Sequence, residues 1–174
     1  TSFFAGVIPN PQTGTIIAFS VNVLATLVAL TLMDRLGRKT LLSWSAGGMC
    51  ACCVLLTFSL LGTLPSYVTV VAVMLYISFF EIGLGCIPFF LASEMVAPEH
   101  LGKVQSISMS ANWFSNFCVG ILFPHMDQAL GAYSFVPFAI VLFGTVLYSL
   151  FVLPETRGKT LQEVRQELDG RHMS

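Results

Sequence analysis

Glu81 is the acid inside an apolar run, Tyr76-Ile77-Ser78-Phe79-Phe80-Glu81-Ile82-Gly83-Leu84-Gly85-Cys86-Ile87-Pro88-Phe89-Phe90, that starts near Val68 and holds no basic residue. A carboxylate without a counter-charge in such a run costs several kcal/mol, so it needs a partner or a task. The amides Asn22, Asn112 and Asn116 lie in other apolar runs. Each amide both donates and accepts hydrogen bonds, and a carboxylate accepts at both oxygens, a set suited to a polyhydroxylated ligand. Trp113 and Phe80 add flat apolar faces that complement the C–H faces of a sugar ring.

Other chemistry finds no support. Cys50 and Cys53 form a C-x-x-C, but Met49-Cys50-Ala51-Cys52-Cys53-Val54 is not the polar, accessible setting that redox or zinc use requires. Cys50, Cys52, Cys53, Cys86 and Cys118 read as small residues packed between helices. His100, His125 and His172 have no partner at metal-ligand spacing. Phosphate-cradling loops, dinucleotide fingerprints and nucleophile elbows are missing too. The reading is therefore of a non-enzyme without metal or cofactor.

Composition says what must position these groups. The 174 residues are 55% hydrophobic and 10% charged, far below the roughly 25% charged residues of soluble domains. The expected class is all-α, a polytopic membrane helix bundle. A net charge of −1 lacks the basic footprint of a nucleic-acid partner. Spans are predicted over residues 13–33, 40–61, 67–92, 105–123 and 133–153, each long enough as helix to cross about 30 Å of hydrocarbon. No stretch alternates as a barrel strand would. Residues 1–12 read as the end of an apolar element and an outer turn, and Pro124 to Ala132 as a loop. Residues 154–174 read as a tail in which Thr160-Leu161-Gln162-Glu163 fits a capping box. Leu161, Val164 and Leu168 would then form one face of a short amphipathic helix.

Arg35, Arg38 and Lys39 lie in the first loop, Lys103 in the third, and Arg157, Lys159, Arg165 and Arg171 in the tail. Five crossings place those segments on one side, which the positive charges mark as cytoplasmic. The amino end would then lie outside. With no Met and no basic leader at Thr1, the expectation is a piece of a longer protein.

At about 100° per residue, Gln105, Ser108, Asn112, Ser115 and Asn116 share a face of the fourth span. Thr15, Asn22 and Thr26 share one on the first span, and Glu81, Gly85 and Pro88 one on the third. Three polar faces imply a shared aqueous cavity, with Glu81 opposite Asn112 and Asn116. Asn and Ser can also simply bond helix to helix. Gly83, Gly85 and Pro88 mark a weak point in the third span, because Pro88 cannot bond the Leu84 carbonyl. A static kink is the plainer reading.

Five motifs, in order, resemble the sugar porter family of the major facilitator superfamily, and among it the facilitative glucose transporters. They are Asp34-Arg35-Leu36-Gly37-Arg38-Lys39, Glu81-Ile82-Gly83-x-Gly85-x-Ile87-Pro88-x-Phe90, Ser93-Glu94, Asn112-Trp113-x-x-Asn116-Phe117 and Pro154-Glu155-Thr156-Arg157-Gly158. The resemblance implies helices eight to twelve of a twelve-helix transporter, with the residues before Gly14 matching the end of helix seven. It implies a hexose site lined by Asn22, Phe80, Glu81, Asn112, Trp113 and Asn116. It also implies a cytoplasmic ion-pair cluster of Arg35, Arg38, Lys39, Glu94, Glu155 and Arg157 that latches the outward-open state.

Three positions depart from the family pattern. Cys86 replaces a usual proline, which should stiffen the third helix. Phe89 replaces a usual tryptophan near the sugar and is kept as a candidate site residue. Leu101 replaces an arginine of the cluster, which should weaken the latch. The expected function is facilitative hexose uniport by alternating access, in the plasma membrane, with the tail cytoplasmic. A proton-coupled symporter and a transporter-like sensor stay open, although sensors tend to carry longer tails. The expected partners are the hexose, the lipid bilayer and an N-terminal helix bundle of the same protein, without which the fragment should not transport.

Overall fold

Among the described residues, α2 (Arg38–Leu60) has a large buried face, and the rest of the bundle is arranged around it. It packs against α3 (Ser66–Ile82) on one side and α6 (Val136–Phe151) on the other, while α1 (Pro11–Leu36) packs against α3. α4 (Ile87–Glu94) continues α3 after a break and touches α5 (Leu101–Leu130). Short 3-10 turns, Pro98–His100 and Gly131–Tyr133, precede α5 and α6. This computed structural model describes residues 11–156, 158–159 and 162–163. Most of the expected tail helix, its Thr160 cap, Arg157 and most of the outer segment 1–12 lie outside those residues, while residues 162–163 are helical. The chain is all-helical over the described residues, with no strand.

Lipid supplies no hydrophobic drive between helices, so close approach by small side chains and good packing hold them together. Gly48 of α2 admits the ring of Phe79; a Cβ there would sit 2.5 Å from that ring. Buried Leu41, Leu42, Ile87 and Leu153 close one end of the core, and Met49, Cys53 and Leu142 pack nearer the other. Ser43 and Ser149 share a 2.8 Å hydrogen bond between α2 and α6. α5 has no buried residue among those described. It meets the start of α6 through Phe123, whose ring lies 5.6 Å from Phe135 and 6.0 Å from Phe138.

Two boundaries differ from expectation. α5 runs through Pro124 to Leu130, so the segment expected as a loop from Pro124 is helical almost to its end. Pro124 removes one donor, but the flanking turns keep their bonds, and the helix stops only at Gly131, with φ +53°. The break in the third span lies at Gly83–Cys86, before Pro88 rather than at it. Pro88 sits in the first turn of α4, where an N–H has no intrahelical partner to lose.

By length and apolar composition, two described stretches could each cross a membrane, Arg38–Leu60 and Tyr67–Glu94, the latter spanning the α3–α4 break. α5 and α6 qualify only as a pair bent by 93°, and α1 contributes the apolar stretch Phe19–Ala29. Neither α5 nor α6 qualifies alone, because the Asn and Ser residues of α5 lower its hydropathy and α6 has only 16 residues. Helices that face a polar interior read as less apolar than helices that face lipid.

Candidate functional site

Glu81, in the last turn of α3, lies against the middle of α1. Asn22 Nδ2 donates to Glu81 Oε1 at 2.5 Å, and Thr26 Oγ1 donates to Glu81 Oε2 at 3.1 Å. The spacing of Asn22 and Thr26 is one helical turn, so both meet the same carboxylate. The Thr26 hydroxyl lies 2.9 Å from the Asn22 carbonyl as well, which fixes its rotamer. The in-membrane acid thus has partners, and both are neutral donors.

A second polar group lies on α5. Asn116 Nδ2 donates to Asn112 Oδ1 at 3.0 Å and to the Asn112 carbonyl at 2.9 Å. This leaves the Asn112 amide nitrogen and the Asn116 carbonyl oxygen available to a ligand, a donor beside an acceptor. Asn112, Asn116, Ser108, Ser115 and Phe89 line an open cleft of about 500 Å³ between α5 and the α3–α4 segment, with Tyr76 and Phe138 as aromatic walls. Gln105 continues the α5 stripe and donates to the Phe89 carbonyl at 3.0 Å, tying α5 to α4. Glu81, Asn22, Phe80 and Trp113 are not among the residues lining this cleft. Phe80 and Trp113 are exposed. Two polar groups thus flank the α3–α4 break, one reached through Glu81 and one through Phe89.

Tyr76 and Phe138 escape a reading of polar residues alone, since an aromatic in an apolar run gives no sign of facing a cleft. Thr26 was legible from its turn spacing to Asn22.

The other end of the bundle gathers the first loop, the end of α4 and the segment after α6. Arg38 Nη2 lies 2.7 Å from Glu94 Oε1, with Nε at 3.0 Å. Thr156 Oγ1 donates to the other Glu94 oxygen at 2.6 Å. α2 starts at Arg38 without a side-chain cap of its own. Glu155 acts instead, accepting the Arg38 N–H at 2.9 Å and placing a carboxylate at the positive end of the helix. Gly37, at φ +84°, makes room for it: a Cβ there would lie 2.6 Å from Glu155 Oε2. Lys39 donates to the carbonyl of Leu150 at the end of α6, 2.8 Å away. Arg35 is exposed at the end of α1, and Leu101 opens α5. Cys86 immediately precedes α4, so the third span, expected to be stiffened by this cysteine, is broken just before it. The described residues offer no cluster that could hold a metal.

The sequence model of the family described as "Sugar (and other) transporter" matches residues 1–168. The chain is 39% identical over 167 residues to solute carrier family 2, facilitated glucose transporter member 3, of Oryctolagus cuniculus, covering 94% of this chain and 34% of that protein. It is 39% identical over 170 residues to facilitated glucose transporter member 4 of Homo sapiens, covering 94% and 33%. Among solved structures it is similar to the major facilitator superfamily proton:xylose symporter XylE bound to 6-bromo-6-deoxy-D-glucose. There the TM-score is 0.83 at 25% identity, over 96% of this chain and 37% of that one. The inward-open xylose transporter XylE from E. coli gives 0.80 at 28%, over 88% and 35%. The chain spans about a third of the length of these relatives. On these matches the chain is an integral membrane protein of the sugar transporter family within the major facilitator superfamily.

Proposed function

We propose that this chain supplies the C-terminal part of a hexose transporter that works as a facilitative uniporter by alternating access. The observation that carries the reading is the cleft of about 500 Å³ with its Asn112–Asn116 pair and aromatic walls. Its size falls within the few-hundred-Å³ range of small-ligand sites. Paired amides suit vicinal hydroxyls, and Tyr76, Phe89 and Phe138 suit the apolar faces of a sugar ring. Glu81 with Asn22 and Thr26 forms the neighbouring wall, and Phe80 and Trp113 cover the sugar from the side open in this chain. The remaining walls come from an N-terminal helix bundle, and the two bundles rock about the sugar.

The contacts of Arg38, Glu94, Glu155 and Thr156 support a latch at the cytoplasmic end, joined by Arg35, Lys39 and Arg157. A latch that exists in one state biases the equilibrium between states. The tail is cytoplasmic and the plasma membrane is the site of action. The test is hexose uptake by the full-length protein in cells lacking their own uptake. Asn116→Ala and Glu81→Gln should each lower flux at least tenfold. Wild-type-like flux in both sinks the assignment.

A second reading, proton-coupled symport, is favoured by the likeness to the xylose symporter. Under it, uptake collapses when the proton gradient is dissipated. Uptake that merely equilibrates sugar and ignores the gradient leaves the uniporter.

A further inference from the structure

The α3–α4 break takes the helical partner from several backbone groups, Phe79 C=O and Leu84 N–H among them. In a continuous helix the Phe79 carbonyl accepts from Gly83, and the Leu84 N–H donates to Phe80. Here Gly83 N–H lies 3.3 Å from the Phe80 carbonyl, and Gly85 N–H takes the same carbonyl at 2.7 Å. Phe79 C=O and Leu84 N–H therefore lose their helical partners inside an apolar segment, where each unpaired group is costly.

A single side chain from another helix satisfies both. Ser45 of α2 donates its hydroxyl to the Phe79 carbonyl at 2.5 Å and accepts the Leu84 N–H at 3.2 Å. It is fully buried. A serine hydroxyl has one donor and spare acceptor capacity, which matches this demand. The fit is steric as well. A Cβ on Gly83 would overlap the Ser45 side chain, so the glycine lets α3 approach α2 closely enough for both bonds.

We propose that Ser45 is a positioning residue for transport, the pin that holds the α3–α4 break open. Its hydroxyl competes with the Gly83 amide for the Phe79 carbonyl. While Ser45 holds that carbonyl, α3 ends at Ile82 and α4 starts afresh at Ile87. When it lets go, Gly83 can reclaim the carbonyl and the two helices run toward one continuous helix. Glu81 lies just before the break and Phe89 just after it, so the pin sets the separation of the two polar groups of the candidate site. Neither residue touches Ser45 in any bond described above, and Ser45 reaches the sugar only through the break. The transport consequence rests on the hexose-transporter reading; the pin itself does not.

The test uses the full-length protein in detergent micelles and in cells. Amide hydrogen exchange is followed over residues 80–87 for wild type, Ser45→Ala and Ser45→Cys. Loss of a buried bond of this kind speeds exchange roughly tenfold or more. The expected result is that acceleration in Ser45→Ala, a smaller one in Ser45→Cys, which keeps a weak donor, and unchanged exchange in the outer half of α2. In cells, Ser45→Ala shifts the ratio of hexose KM for efflux to that for influx by about threefold or more at equal surface expression, and Ser45→Cys lies between. A merely structural role would lower expression without moving that ratio. Exchange within twofold of wild type over residues 80–87 overturns the pin. Accelerated exchange with an unmoved KM ratio overturns its role in transport. If the wild type moves no hexose, the transport reading fails alone, and the exchange arm still decides the pin. If Ser45→Ala does not fold, Ser45→Cys carries both arms, and wild-type values in it overturn the proposal.

Discussion

Replacing Gly37 by alanine should cost far more when Glu155 is present than when it is absent. The residue sits at φ +84° and ψ 157°, a region open essentially to glycine, where a Cβ strains the backbone by about 1–3 kcal/mol in any background. With Glu155 in place, the new methyl would lie 2.6 Å from its carboxylate oxygen, so the carboxylate must leave. Departure gives up the 2.9 Å bond from the Arg38 N–H, which at a partly exposed site is worth about 1–1.5 kcal/mol. It also gives up the charge–dipole attraction at the start of α2, about 0.3–1 kcal/mol. Gly37→Ala should therefore destabilise the full-length protein by about 3 kcal/mol, but only by about 1.5 kcal/mol in a Glu155→Ala background. The coupling is about 1.5 kcal/mol, close to tenfold in an equilibrium constant. Equilibrium unfolding of the wild type, both single variants and the double variant in mixed micelles measures it. Additive effects, to within about 0.5 kcal/mol, would mean that Glu155 does not sit beneath Gly37, and the reasoning fails.

The same unfolding assay checks the in-membrane acid. Asn22→Ala and Glu81→Ala should couple by about 1 kcal/mol, the scale of interhelical bonds in membranes, and zero coupling would remove the contact. The position of the break is open to a paired test. Pro88→Ala should be nearly neutral, within about 0.5 kcal/mol, because Pro88 occupies the first turn of α4. Gly83→Ala should cost about 2 kcal/mol or more, because its methyl meets Ser45 with no room to yield. The reverse order would put the hinge at the proline.

How far these elements were legible depends on the length scale of the signal. Runs of apolar residues are a local property, and an all-helical chain with helices over those runs follows from them. Pro124 misled because a proline in an apolar helix looks like a stop, yet its missing bond is tolerated when the turns around it are intact. Pro88 misled in the same way. The local rule identifies a residue that cannot continue a helix from before it, but such a residue is equally a good start for a new one.

The candidate site was legible as a list of residues and less so as a geometry. Periodicity placed Ser108, Asn112, Ser115 and Asn116 on one face, and they line one cleft. It could not say that Glu81 bonds to α1, because a face faces whatever helix packs there, and that is decided by contacts distant in sequence. Ser45 shows the limit most clearly. In its own stretch it is one of several small polar residues of α2, like Ser43 and Thr57, whose hydroxyls bond back to the preceding turn. What separates it is the demand made on it by Phe79 and Leu84, two backbone groups with no sequence signature of their own. That demand arises only because α3 stops at Ile82, and α3 stops there only while Ser45 meets it. The break and its pin are therefore one device, and neither half can be read from the sequence without the other.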